Sequence, residues 1–294
     1  RAPAGATQAT VSLGIEGATA GQAAFDEACL APDDAPTIRA LIVDYAQEIG
    51  RLRPLPGLNT YTQPVLAQLR PARVRITGLG TLFPNPSAGP SSPSAYDWSS
   101  TDIALQAVAG SEAEILLHLA DNTAPGAGPG QWAEVARHVA MHYNEGWAGG
   151  GHLGIRYWEV GSSTASLAAY CDRLEATMQA LKGHDPALRV GATLPGNAGA
   201  EALLRALAER GLRPDFFTWP VERAGSPLTL AKGQARLEQL LAAHGFGAAE
   251  LIALQPSPFA ASWAAGAAGA AHLAATVSYA HDTQSGLVCY GEPG

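Results

Sequence analysis

Ala113-Glu-Ile-Leu-Leu-His-Leu119 and Gly154-Ile-Arg-Tyr-Trp-Glu-Val160 are two largely apolar runs, and between them Trp132, Val135, Ala136, Val139 and Tyr143 recur at helical spacing. A strand with one wet face alternates apolar and polar residues, whereas a parallel strand covered on both faces has no need to. The stretch therefore reads as strand, helix, strand in a parallel sheet. Working outward, further strands are expected at 10–15, 73–77, 188–192, 214–218, 250–254 and 286–290, giving eight with 113–119 and 154–160. Helices are expected between them at 37–49, 99–108, 132–143, 167–181, 200–210, 229–243 and 266–281, with Ser99 as a capping residue and Gly110 as a stop. Eight alternations in 294 residues suit one α/β domain, a (β/α)8 TIM barrel, which usually takes roughly 250 residues. A doubly wound open sheet fits less well, because it usually has fewer strands and the first strand carries no GxGxxG phosphate turn.

Two departures from a plain barrel are expected. Residues 16–72 form a long first βα insertion holding a Pro-rich loop, Arg53-Pro-Leu-Pro-Gly57. After the eighth strand only Gly291-Glu-Pro-Gly294 follows, with no obvious closing helix. The insertion, a protein partner or a missing C-terminal segment is then expected to cover the barrel flank. The whole chain, 1–294, reads as a single domain.

Composition narrows the function classes. Hydrophobic residues make up 47% and charged residues 15%, which suits a large core. A formal net charge of −8 with no basic cluster argues against nucleic acid. No apolar run approaches the ~20 residues of a transmembrane segment. Cys29, Cys171 and Cys289 lie far apart without CxxC spacing, so neither a metal nor another cofactor is expected. His138 and His142 lie four apart on one helix but lack an HExxH glutamate, and read as a surface or packing pair. His118 reads as a satisfied core residue. The start, Arg1-Ala-Pro-Ala-Gly-Ala-Thr-Gln-Ala-Thr10, has the look of residues just after a cleaved export signal, giving the expectation of a secreted or extracytoplasmic protein.

A series of short motifs carries a resemblance. Tyr96-Asp97-Trp98-Ser99, the Ile115–Leu119 strand, Trp132 with His142-Tyr143-Asn144, and Tyr157-Trp158-Glu159-Val160 occur in that order. Val74-Arg75-Ile76, Asp185-Pro-Ala-Leu-Arg-Val-Gly191, Asp215-Phe-Phe-Thr-Trp219 and Glu250-Leu-Ile-Ala-Leu-Gln255 extend it over about residues 72–290. The series resembles retaining barrel glycoside hydrolases of family thirty-nine, the β-xylosidase and α-L-iduronidase type. In that family the fourth strand reads YWEVWNEP and supplies an Asn and the acid/base Glu, while the seventh strand ends in the nucleophilic Glu. Here the first pair is replaced by Ser162 and Ser163, and Gln255 stands at the nucleophile position. The second-strand His of the family is Thr77 and the sixth-strand His is Pro220, while Arg75 and Trp219 are kept.

Retaining hydrolysis needs two carboxyl groups about 5–5.5 Å apart, one to protonate the leaving oxygen and one to attack the anomeric carbon. Neither Ser163 nor Gln255 can do this, and a general acid alone is worth about 10²–10⁴ in rate. The expectation is a non-hydrolytic barrel that binds a glycan or polysaccharide or serves in assembly. A first alternative is an active glycosidase with relocated carboxylates, from Glu16, Asp121 and Glu222. A second is a structural subunit docking through its open flank. The resemblance implies a ligand-binding set of Arg75, Glu159, Ser162, Trp219 and Tyr290, with Glu159 as a hydrogen bonder on the pocket floor. Arg75 is expected either to meet a ligand carboxylate or to pair with Glu159, and Trp219 either to stack on a sugar or to fill the barrel mouth.

Overall fold

A computed structural model describes residues 56–58, 71–77, 80–161, 166–221, 228–255, 275–276 and 287–290 of the chain. Six parallel strands run in sequence order: β2 (Arg73–Ile76), β3 (Glu114–Leu119), β4 (Tyr157–Val160), β5 (Arg189–Thr193), β6 (Phe216–Pro220) and β7 (Glu250–Gln255). Each pairs with its successor. Two short strands, β1 (Pro56–Leu58) and β8 (Leu287–Tyr290), pair in parallel with each other and with the two edges of this arc. The helices between them are α1 (Ser99–Ala109), α2 (Pro129–Glu145), α3 (Leu167–His184), α4 (Gly196–Glu209) and α5 (Leu228–Ala243).

The sheet position beside β2 is held by Pro56–Leu58, inside the stretch read above as a loop. The expected strand at 10–15 lies outside the described residues, and residues 16–72 are not one long βα insertion. The misreading has a physical cause. Proline donates no ladder hydrogen bond and so argues against a strand, but it is tolerated as the first residue of one, which is where Pro56 stands. Most of the expected helix at 266–281 and the chain end beyond Tyr290 also lie outside the described residues, as does the covering of that flank.

Strand parity sorts the side chains into two environments. Val74, Ile76, Ile115, Leu117, Leu119, Trp158, Val160, Val190, Ala192, Phe217, Leu251 and Ala253 point outward into the core shared with the helices. The opposite parity fills the barrel in layers. Leu116, Tyr157, Phe216 and Ile252 form an apolar middle layer. Beneath it lie charges: Arg73 Nη1 donates to Glu250 Oε1 (3.0 Å), Arg189 Nη1 to Glu250 Oε2 (2.8 Å), and Arg73 Nε to Glu114 Oε2 (2.9 Å). The Tyr157 hydroxyl donates to Glu250 Oε2 at 3.0 Å, and the Arg73 guanidinium lies 3.7 Å from the centroid of its ring. A plug of this kind closes the N-terminal end of a packed barrel, which is a core and not a pore.

The helix ends follow local chemistry, with one correction. Ser166 caps α3 by accepting from the Ala169 N–H at 3.3 Å, and α2 ends at Gly146 in the left-handed region (φ 78°). Ser99 is not a cap. It is the first residue of α1, and both its N–H (3.1 Å) and its hydroxyl (2.6 Å) donate to Oδ1 of Asp97. A carboxylate satisfies the orphan backbone N–H of Ser99 as a hydroxyl would. The Tyr96–Trp98 and His142–Tyr143 motifs meet as a clamp between α1 and α2. Tyr96 stacks on Trp98 (centroids 4.7 Å apart) and Trp98 on His142 (3.8 Å). Asp102 accepts from Tyr143 at 3.0 Å and lies 3.2 Å from Nε2 of His142. His138 and His142 are thus a packing pair within this clamp, and both rings are buried.

Gly191 shows how tightly the barrel interior is filled. A Cβ there would lie 2.2 Å from Cε2 of Phe216, a fully buried ring in the middle layer. Gly191→Ala is expected to lower stability by about 1–3 kcal/mol through overpacking. Urea unfolding should show a lower midpoint with an unchanged slope.

Candidate functional site

In open-ended parallel barrels the strand C-termini and the loops after them form the site. At that end the inward-facing residues of β2 to β6 converge on one carboxylate. Glu159 of β4 is wholly buried. It accepts from Arg75 Nε (2.6 Å) and Nη2 (3.1 Å), from Thr193 Oγ1 (2.8 Å) and from Thr218 Oγ1 (2.6 Å). Burial by itself pushes this carboxyl up. The charges of Arg75 and His118 and the hydrogen bonds from Arg75 and Thr218 outweigh it, and hold the group at about 2. Glu159 is therefore an anion that supports the floor, and Arg75 takes the pairing alternative rather than the ligand-carboxylate one.

His118 sits beside Glu159 in the strand register. Its Nδ1 is 3.0 Å from the Thr77 hydroxyl, and the ring is only half-buried. Burial first, and Arg75 second among the lowering influences, bring its pKa below the ordinary imidazole value against Glu159 and Asp121. His118 thus belongs to the barrel's upper interior. The neighbouring strand ends are fixed by Tyr170 of α3, whose hydroxyl donates to the Val160 carbonyl (3.0 Å) and accepts from the Thr193 N–H (3.1 Å).

Other expected site residues fall elsewhere. Trp219 has the outward parity and packs in the sheet–helix core, where a Cβ on Gly233 of α5 would lie 3.1 Å from its ring. It neither stacks at the mouth nor fills it, because β6 turns every second side chain away from the barrel axis. Asp121, just after β3, ion-pairs with Arg173 of α3, whose guanidinium lies 4.4 Å from the Trp132 ring centroid. Gln255 ends β7 opposite Tyr290 of β8 in the backbone register. Glu16, Ser162, Ser163 and Glu222 lie outside the described residues. Among the described residues no group of three or more His, Cys, Asp or Glu side chains could hold a metal ion. Thr193 and Thr218 were not singled out from sequence, although Thr218 shares inward parity with Phe216 along its strand, and Thr77 was noted only at the position of the family's second-strand His.

The fold has solved counterparts. A glucosidase from Croceicoccus marinus is similar at a TM-score of 0.71 and 23% identity, over 83% of this chain and 61% of that one. An α-L-arabinofuranosidase from Thermotoga maritima is similar at 0.56 and 11%, over 78% and 56%. The GH53 catalytic domain from Ignisphaera aggregans is similar at 0.51 and 12%, over 78% and 76%. The chain spans less than two thirds of the length of the glucosidase and of the arabinofuranosidase. No protein-family model matches the chain, and no curated protein does. The structural neighbours are glycoside hydrolases with a TIM-like fold, and at these identities the likeness concerns the fold.

The charge pair makes a pH-dependent contribution to stability. A carboxyl held near 2 in the folded chain, against an ordinary value of 4.5, stabilises fully above the ordinary value. That contribution is lost as pH falls from 4.5 through the folded value. Glu159→Gln leaves the Arg75 cation buried without its anion and is expected to cost about 3–5 kcal/mol. Urea midpoints measured between about pH 6 and pH 2 should fall less steeply in Glu159→Gln than in the parent.

Proposed function

We propose that this chain is a (β/α)8 barrel of the glycoside-hydrolase kind, nearest family thirty-nine, that binds a glycan without hydrolysing it. One observation carries the reading. Every described carboxylate of the barrel interior already serves a cation: Glu159 serves Arg75, Glu114 serves Arg73, and Glu250 serves both Arg73 and Arg189. Asp121, the described relocated candidate at the strand ends, is taken by Arg173. The positions where the resembling family keeps its two working carboxyls are Ser163 and Gln255. A carboxyl held as an anion on a guanidinium cannot give up the proton that a leaving glycosidic oxygen requires.

What remains at the mouth suits binding. The His118 imidazole and the Thr77 hydroxyl beside it at the strand ends are the kind of few, placed polar groups that orient a ligand in a pocket. The alternative with relocated acids rests on Glu16 and Glu222 together with Asp121. The docking alternative rests on the flank beside the first and eighth strands.

Aryl glycosides should show no retaining turnover with this protein, while a glycan array run on the same preparation should show specific binding. Turnover that disappears on Gln255→Ala would overturn the proposal and make the amide position a working part of an enzyme. Turnover that survives Gln255→Ala but disappears on Asp121→Asn would favour relocated acids.

A further inference from the structure

His118 has one ring nitrogen engaged and the other open. Nδ1 is 3.0 Å from Thr77 Oγ1, whereas Nε2 has no hydrogen-bond partner among the described residues. The Nε2 edge of the ring lies against the Gly161 backbone. A Cβ at position 161 would come within 2.6 Å of Nε2 and 3.2 Å of Cε1, so only glycine leaves the imidazole where it stands. Where the resembling family carries a large tryptophan immediately after the fourth strand, this chain has Gly161.

The groups around the imidazole leave it electrically quiet. On β2, Arg75 is joined to Glu159 of β4 at 2.6 Å, so the two charges facing the ring cancel. Asp121, the remaining charge acting on it from the turn after β3, is bound to Arg173 of α3. A neutral imidazole offers one donor and one acceptor, and with Nδ1 held by Thr77 a single directed hydrogen bond remains at Nε2.

We infer that Nε2 of the half-buried His118, beside Gly161 and oriented by Thr77, is a contact for a hydroxyl of a neutral sugar at the barrel mouth. This rests on the carbohydrate reading above and goes beyond it in naming the residue and the charge class. A uronate would place its carboxylate above a Glu159–Arg75 pair that has no net charge to offer. A neutral hydroxyl meets a site of matching polarity without having to desolvate a second anion.

The test uses the full chain labelled with ¹⁵N at histidine, titrated with neutral trisaccharides of xylose and of glucose and with a glucuronate trisaccharide. The expected result is binding of a neutral trisaccharide, a ligand-dependent shift of the His118 Nε2 resonance, and weaker or no binding of the uronate. His118→Ala should weaken that binding at least tenfold, and Thr77→Val should weaken it several-fold by releasing the ring. The nitrogen shift in the parent protein is independent of whether either variant folds well. Neutral-sugar binding with no Nε2 shift and an unchanged affinity in His118→Ala would overturn this inference and leave the carbohydrate reading standing. Preference for the uronate would overturn it likewise. Binding of none of the three, with none on a glycan array, would remove the carbohydrate reading and this inference together.

Discussion

The ion pair between Arg75 and Glu159 is the constraint around which the upper barrel is arranged. Two charges withdrawn from water inside a barrel are stable only when each is paired and its remaining hydrogen-bonding capacity is filled. Glu159 meets this with two bonds from Arg75 and one each from Thr193 and Thr218. Those partners come from β2, β5 and β6, so four strands must present the correct parity at the correct height. A slip of one residue in any of them would turn its partner outward and strand a buried carboxylate. Register across the arc is thereby enforced by electrostatics as well as by backbone pairing.

The two ends of the barrel use charge differently. At the N-terminal end Arg73, Glu114, Arg189, Glu250 and the Tyr157 hydroxyl satisfy one another and form a plug. An apolar layer of Leu116, Phe216 and Ile252 separates that plug from the upper pair. The upper layer is satisfied below, around Glu159, while above it Nε2 of His118 has no hydrogen-bond partner among the described residues. That asymmetry matches the general division of such barrels between a stabilising face and a working face. The described acids that hold the barrel together, Glu114, Glu159 and Glu250, are all engaged with arginines within the interior. Holding the barrel together and presenting a site are thus separate demands on such a fold.

The aromatic clamp of Tyr96, Trp98 and His142 shows the same separation outside the barrel. Its residues make up much of the family resemblance in the sequence, yet they stack on one another and tie α1 to α2. Residues that recur in order along a chain can be scaffold as readily as site. Offset and parallel ring contacts of this kind add stability beyond their buried area, which is reason enough for such a motif.

The sequence by itself determined the strands and helices from Arg73 to Gln255, because apolar runs of strand length alternating with 3.6-residue periodicity admit few other packings. It also determined that Glu159 lies inward below the mouth, since strand parity follows from counting. Only the tertiary structure decided which strand sits beside β2, because Pro56 carries a local signal against strand that pairing on both sides overrides. Only the tertiary structure packed Trp219 against α5 and chose Glu159 as the partner of Arg75. Thr193 fell just past the expected end of its strand, and nothing local distinguishes a threonine that will meet a buried carboxylate from one that will not. Those choices depend on which side chains from sequence-distant strands arrive at the same height, and that is a property of the closed arrangement rather than of any one segment.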